Sequence, residues 1–138
     1  MVTENCEVLV RGGPAKGPAL VLSAPISFWG GIDPSTGKVI DPRHPDHGAE
    51  ISGTVLFLPG TIGSSSASAV LMELVHQRMA PAAVVLHKPD AILLIGLLAA
   101  TEMGWPVPPA IRLDRSRHRL FAGRQLSVGE TGEIRATG

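Results

Sequence analysis

Apolar residues fall along this chain in short blocks whose spacing changes from segment to segment, and the spacing predicts the elements. Thr54-Val55-Leu56-Phe57-Leu58 and Ala83-Val84-Val85-Leu86 are almost unbroken apolar runs, as expected of strands buried on both faces. Glu7 to Arg11 alternates and predicts a short strand ending at the turn Gly12-Gly13-Pro14. Ala19-Leu20-Val21-Leu22-Ser23 is a second aliphatic strand bounded by turn formers. From Ala67 to Met79 the period lengthens, with Val70, Leu71, Leu74 and Val75 on one face of a helix that Pro81 should end. Asp90 can cap a second helix, Ala91 to Met103, which stops at Gly104. Val107 to Ile111, the region of Leu120, Leu126-Ser127-Val128 and Glu133-Ile134-Arg135 predict further short strands.

Strand, loop, helix, strand, helix and strand in succession imply a parallel α/β core, to which the two ends add β structure. The expected architecture is a three-layer β/β/α domain spanning residues 1–138, with no internal repeat and no domain linker. One stretch escapes periodicity. Between Ala24 and Glu50, Gly and Pro recur, yet Phe28, Trp29, Ile32, Val39 and Ile40 want burial. An ordered loop is expected there, with a short hairpin at Asp33-Pro34-Ser35-Thr36-Gly37. It packs either on its own core or on a partner.

Composition narrows the function classes. Lys plus Arg and Asp plus Glu each number 12 in 138 residues, so the formal net charge is zero. The basic excess of a nucleic-acid binder is missing. The cluster Arg112, Arg115, Arg117, His118 and Arg119 is read as a solvated rim in preference to an anion or partner site. Cys6 is the sole cysteine. It cannot by itself hold zinc or an iron–sulfur centre, and it makes a reduced cytoplasmic setting the default. The N-terminal residues lack the layout of a signal peptide, and the longest apolar run, Ala91 to Thr101, is too short for a bilayer. No membrane partner is expected.

The richest chemistry lies in Leu58-Pro59-Gly60-Thr61-Ile62-Gly63-Ser64-Ser65-Ser66-Ala67-Ser68, between a buried strand and an amphipathic helix. Ligands of open α/β sheets gather at the carboxyl ends of strands. A helix start offers free amides and the positive end of the dipole. Gly60 and Gly63 permit close backbone approach, and Ser64, Ser65 and Ser66 supply donors, acceptors and a candidate nucleophile or base. The bland alternative makes Ser66 an N-cap and its neighbours solvated loop residues. A P-loop is excluded because no lysine follows Gly63, and a nucleophile elbow because Ala67 stands where its second glycine belongs. His76 and His87 are available to a serine hydrolase, but nothing in the pattern puts either beside Ser64.

Taken in order, Ala24-Pro25-Ile26-Ser27-Phe28-Trp29-Gly30-Gly31-Ile32-Asp33-Pro34, Thr36-Gly37, Asp41, His44-Pro45 and the serine loop resemble the small subunit of the aconitase X family. The likeness covers roughly Val10 to Pro108. It implies a swivelling domain like the fourth domain of aconitase, carried on a separate polypeptide. It also implies a hydro-lyase whose large subunit holds an iron–sulfur cluster or metal ion and most contacts to a small hydroxy-acid substrate. This chain would bind no cofactor and would present a serine as the base that takes a proton from carbon. The aconitase pattern Gly-Ser-Ser falls on Gly63-Ser64-Ser65, which gives that role to Ser64, with Gly63, Ser65 and Ser66 at the substrate. Aconitases follow these serines with arginine where this chain has Ser66, so a tricarboxylate is not the expected substrate. Two activities belong to the family, dehydration of cis-3-hydroxy-L-proline and of phosphomevalonate. The run Ser64-Ser65-Ser66 and the wording Ser27-Phe28-Trp29 look more like the bacterial members, which favours hydroxyproline.

Other residues keep two readings each. Phe28 and Trp29 are either partner-interface anchors or part of the chain's own core. Asp33 belongs to a turn before Pro34 or to the interface. Asp41 orients its loop or meets substrate. His44 and His47 near Asp46 form a fortuitous polar cluster more readily than a metal site. His76 is expected in solvent, and Lys16 in a Gly/Pro turn that could meet the partner or an anionic substrate. A reading of another class, a non-catalytic anion-binding or regulatory module, would use the same helix start. A phosphohistidine carrier is excluded because no histidine stands in the serine loop.

Overall fold

The computed structural model of the chain describes residues 2–63 and 65–136. In chain order they form β1 (Thr3–Asn5), β2 (Glu7–Val10), β3 (Ala15–Val21), a short irregular turn α1 (Phe28–Gly31), β4 (Ile32–Asp33), β5 (Lys38–Val39), β6 (Val55–Leu58) and α2 (Ala67–His76). There follow β7 (Ala83–Leu86), α3 (Ala91–Glu102), β8 (Ala110–Arg112), a 3-10 helix (Arg115–Phe121), β9 (Gln125–Val128) and β10 (Glu133–Ala136). The main sheet runs β1-β10-β9-β3-β6-β7-β8-β2, and β4-β5 forms a separate hairpin.

The long strand β3 joins two kinds of sheet. Its first half pairs antiparallel with β9, Ala15 opposite Val128, and its second half runs parallel to β6, Ala19 opposite Val55. β6, β7 and β8 continue in parallel, and β2 closes that edge antiparallel to β8. Gly17 sits where the two halves meet. A Cβ there would stand 2.3 Å from the Gly53 carbonyl oxygen, so only glycine lets the two backbones approach this closely.

Successive side chains of a strand point to opposite faces, and β6 and β7 use both. Leu56 and Leu58 of β6 and Val84 and Leu86 of β7 join the core beneath α2 and α3, with Leu71, Leu74, Leu93 and Leu97. Val55, Phe57, Ala83 and Val85 face the other way, into a core completed by Phe121, Leu126, Val128 and Ile134. The β9-β10-β1 layer therefore covers one face of the parallel sheet and the helices cover the other. This is the expected three-layer β/β/α arrangement.

Several expectations need correction. Helix α2 ends at His76, short of Met79. Arg78 turns left-handed (φ 60°), its amide reaches the Val75 carbonyl at 3.1 Å and the Met79 amide reaches Leu74 at 2.8 Å, which closes the helix before Pro81 can act. Lys16 lies in β3 and not in a turn, opposite Ser127. The strand expected over Val107 to Ile111 is confined to Ala110–Arg112, because Pro106, Pro108 and Pro109 have no amide to give a ladder. The residues around Leu120 form no strand. Asp114 caps a 3-10 helix through the Ser116 amide, and His118 and Phe121, three apart, eclipse each other and enter the core together. Thr3–Asn5, opposite Arg135, Ile134 and Glu133, is a strand that the pattern did not predict.

The irregular stretch is ordered on its own domain. Phe28, Ile32, Val39 and Ile51 enter the helix-side core. The hairpin expected at Asp33 is present, with Ile32 opposite Val39 and the Gly37 amide on the Asp33 carbonyl at 2.8 Å.

Candidate active site

Buried strand β6 delivers the chain to the carboxyl end of the parallel sheet, and the serine loop begins there at Pro59. Its first half is fixed. Thr61 makes a parallel bridge to Ile26, the Ile62 amide donates to the Ile26 carbonyl at 3.0 Å, and the Thr61 hydroxyl donates to Asp90 Oδ2 at 2.6 Å. Beyond Thr61 the loop turns outward. Ile62 is 57% exposed, and Gly63 and Ser65 are exposed as well. Ser64, the residue to which the base role was assigned, lies outside the described residues.

The far end of the loop is the start of α2. Ser66 occupies the N-cap position with dihedrals already helical (φ −82°, ψ −8°), and its carbonyl accepts from the Val70 amide at 3.2 Å. Ser68 Oγ donates to the Ser65 carbonyl at 3.3 Å. Helix α3 packs directly against this first turn. A Cβ on Gly96 would stand 2.8 Å from the Ser68 carbonyl oxygen, so the absence of a side chain sets how closely the two helices meet.

Two clefts flank the loop. One, of about 440 Å³, lies between Leu58 to Thr61 and the β7–α3 connection with His87, Lys88 and Asp90. The other, of about 300 Å³, runs from Leu22 and Ser23 past Pro59 to Arg115 and Arg119. A larger hollow of about 820 Å³, lined by Val75, Arg78, Pro81, Trp105 and Pro109, opens at the other end of the parallel strands, away from the serines.

The remaining expected residues separate. Phe28 is 1% exposed and belongs to the chain's own core, which corrects its assignment to a partner interface; neighbouring Trp29 is 61% exposed. Asp33 accepts from the Ser35 hydroxyl (2.7 Å) and amide (2.9 Å), and these bonds hold its carboxyl below the usual carboxylate range. Asp41 is likewise engaged in a turn, accepting from the Arg43 amide at 2.9 Å. His44 is buried, its Nε2 on the Ala24 carbonyl at 3.0 Å and its Nδ1 accepting from the Asp46 amide at 3.0 Å. Asp46 in turn accepts from the Ser23 amide and hydroxyl, so the pair staples the irregular stretch to the end of β3. His76 lies against Trp105, ring centroids 5.0 Å apart.

The arginine cluster is split in the same way. Arg112 reaches the His87 carbonyl at 2.9 Å and stands 3.7 Å from Asp114, Arg117 pairs with Glu4, His118 is buried, and Arg115 and Arg119 remain on the rim. The local pattern marks Asp90 as a helix cap only and marks no role for Thr61. A contact across 29 residues leaves no local pattern to find.

The described residues do not fit a metal centre of the kind that the family resemblance assigns to the large subunit. Among the described residues no three His, Cys, Asp or Glu side chains gather where they could hold a metal ion. Cys6 is buried, and burial, with Glu4 nearby, pushes its thiol up to about 11, far from the thiolate a ligand needs. No described helix is long and apolar enough to cross a membrane.

Comparison with known proteins agrees with this architecture. A family model described as the aconitase X swivel domain matches residues 3–136. The phosphomevalonate dehydratase small subunit of Methanothermobacter thermautotrophicus is 43% identical over 96 residues, 70% of this chain and 72% of that protein. The cis-3-hydroxy-L-proline dehydratase of Pseudomonas aeruginosa is 44% identical over 91 residues, which are 66% of this chain but 16% of that protein. The crystal structure of Thermococcus kodakaraensis aconitase X in its holo form superposes with a TM-score of 0.85 at 28% identity, covering 100% of both chains.

Proposed function

Because this chain belongs to the aconitase X swivel-domain family, we propose that it is the small subunit of a dehydratase and lends Ser64 to an active site shared with a large subunit. The observation that carries this reading is the outward turn of the loop. It is pinned at Thr61, is exposed at Gly63 and Ser65 on either side of Ser64, and runs straight into the start of α2. In the proposed reaction Ser64, as the alkoxide, takes a proton from a substrate carbon, the neighbouring carbon–oxygen bond breaks, and a carbon–carbon double bond forms. The proton stays on Ser64 and the hydroxyl departs on the partner's side.

A serine hydroxyl is a weak base. Amides of the first turn of α2, arranged in advance and kept dry by the closing partner, would stabilise its alkoxide. Gly63 leaves open space beside the loop, and Ser65 and Ser66 offer hydroxyls to the substrate. The metal or iron–sulfur centre belongs, in this proposal, to the large subunit. Trp29 is the interface anchor, three residues beyond Ile26, whose backbone holds Thr61. The setting is cytoplasmic.

The proposed substrate is cis-3-hydroxy-L-proline, on the strength of the Ser64-Ser65-Ser66 run and Ser27-Phe28-Trp29. Phosphomevalonate is the second reading, favoured by the small-subunit relative of which this chain covers 72%. Co-expression with the large subunit followed by assay of both compounds tests the function. Formation of the unsaturated product from hydroxyproline is expected. Turnover of phosphomevalonate alone would transfer the assignment, and turnover of neither by an assembled complex would contradict the dehydratase reading.

A further inference from the structure

We propose that Thr61 and Asp90 form a clamp that positions the serine loop for proton transfer, an inference that rests on the reading of Ser64 as the base. Asp90 divides its carboxylate between two tasks. Oδ1 accepts from the Ile92 and Leu93 amides at 3.0 and 3.2 Å and caps α3. Oδ2 accepts from the Thr61 hydroxyl at 2.6 Å. Capping a helix requires one side-chain oxygen, and asparagine supplies it as well as aspartate does. The second oxygen serves the loop.

The geometry makes Thr61, with the neighbouring Ile62 amide on the Ile26 carbonyl, the last fixed stretch before the reactive residue. Its backbone bridges Ile26, and its side chain reaches the start of α3, so two separate elements hold it. Ile62 and Gly63 then project outward without burial. Helix α3 meets the first turn of α2 at Gly96 and Ser68, so the same helix braces both ends of the loop, through Asp90 and through Gly96. A loop braced at both ends keeps a hydroxyl near one place, as proton abstraction requires, and a misplacement of about 1 Å can cost about 100-fold in rate. Neither residue touches the reacting atoms in this account. They are positioning residues.

The test uses the assembled enzyme with Thr61→Val, which keeps the branched shape and removes the hydroxyl, and with Thr61→Ser, which restores it. For Thr61→Val the expected result is a kcat reduced about 30- to 100-fold with KM and subunit assembly little changed, and recovery of most of the loss by Thr61→Ser. Amide hydrogen exchange on the full chain should show faster exchange at Ile62 in the valine variant, because its bond to Ile26 loosens. Asp90→Ser, whose single hydroxyl can still cap the helix but leaves no second oxygen for Thr61, gives the same direction of change should Thr61→Val fold poorly. A kcat for both Thr61→Val and Asp90→Ser within about twofold of the unsubstituted enzyme would overturn the clamp. If Ser64→Ala is inactive in the same preparations, that result leaves the base assignment standing. An active Ser64→Ala removes the base and the clamp's purpose together.

Discussion

His118 stands edge-on to Phe57, ring centroids 5.3 Å apart, and its Nε2 lies 2.9 Å from the Leu113 carbonyl oxygen. The imidazole sits in the core between the two β layers, where desolvation holds its pKa below the ordinary 6.5 while the Leu113 carbonyl pulls the other way. Unfolding returns it to the ordinary value, so below about pH 6.5 the unfolded chain takes up a proton that the folded chain refuses. This contribution to stability is complete above the unfolded value and is lost as pH falls towards the folded one. Urea melts at about pH 7.5 and 5.5 should show lower stability in acid, and His118→Gln should show a smaller drop. An equal drop in both proteins would contradict the assignment.

The contact of Gly96 with Ser68 predicts a substitution that defies helix propensity. Alanine favours a helix interior by about 1 kcal/mol over glycine. Here its Cβ would stand 2.8 Å from a backbone oxygen, and overpacking of that kind costs about 1–3 kcal/mol. Gly96→Ala is therefore expected to lower the urea midpoint, and turnover with it, because the first turn of α2 must shift. A raised midpoint would show that the helices tolerate the methyl.

Much of the fold was legible in the pattern, and the reasons show where legibility stops. Strand β7 and the caps of α3 were found because continuous apolar runs, Asp90 and Gly104 act locally. Phe28 and Trp29 could not be told apart, since an irregular stretch has no period to assign faces; the backbone turns at Gly30 (φ 79°), and one ring enters the core while the other stays outside. His118 and Phe121 recur at three residues, too short a pattern to separate a 3-10 turn from a strand. The serine loop was found from its composition. Its attachment to Asp90 was not, because tertiary contacts of a single hydroxyl have no sequence period.

Trp29 is 61% exposed, which separates folding from assembly. Trp29→Ala should leave the stability of the isolated chain within about 0.5 kcal/mol, as surface substitutions do. Binding to the large subunit should weaken by about 2 kcal/mol or more if the ring anchors the interface. Titration calorimetry of the two purified subunits decides the point, and unchanged affinity would take Trp29 out of the interface.

The role given to Ser64 is tested most directly by turnover of the reconstituted two-subunit enzyme carrying Ser64→Ala. Assembly should match that of the unsubstituted complex, while kcat falls by about three orders of magnitude or more, as expected when the group that removes the proton is deleted. An assembled Ser64→Ala enzyme that dehydrates substrate at close to the normal rate would contradict the account.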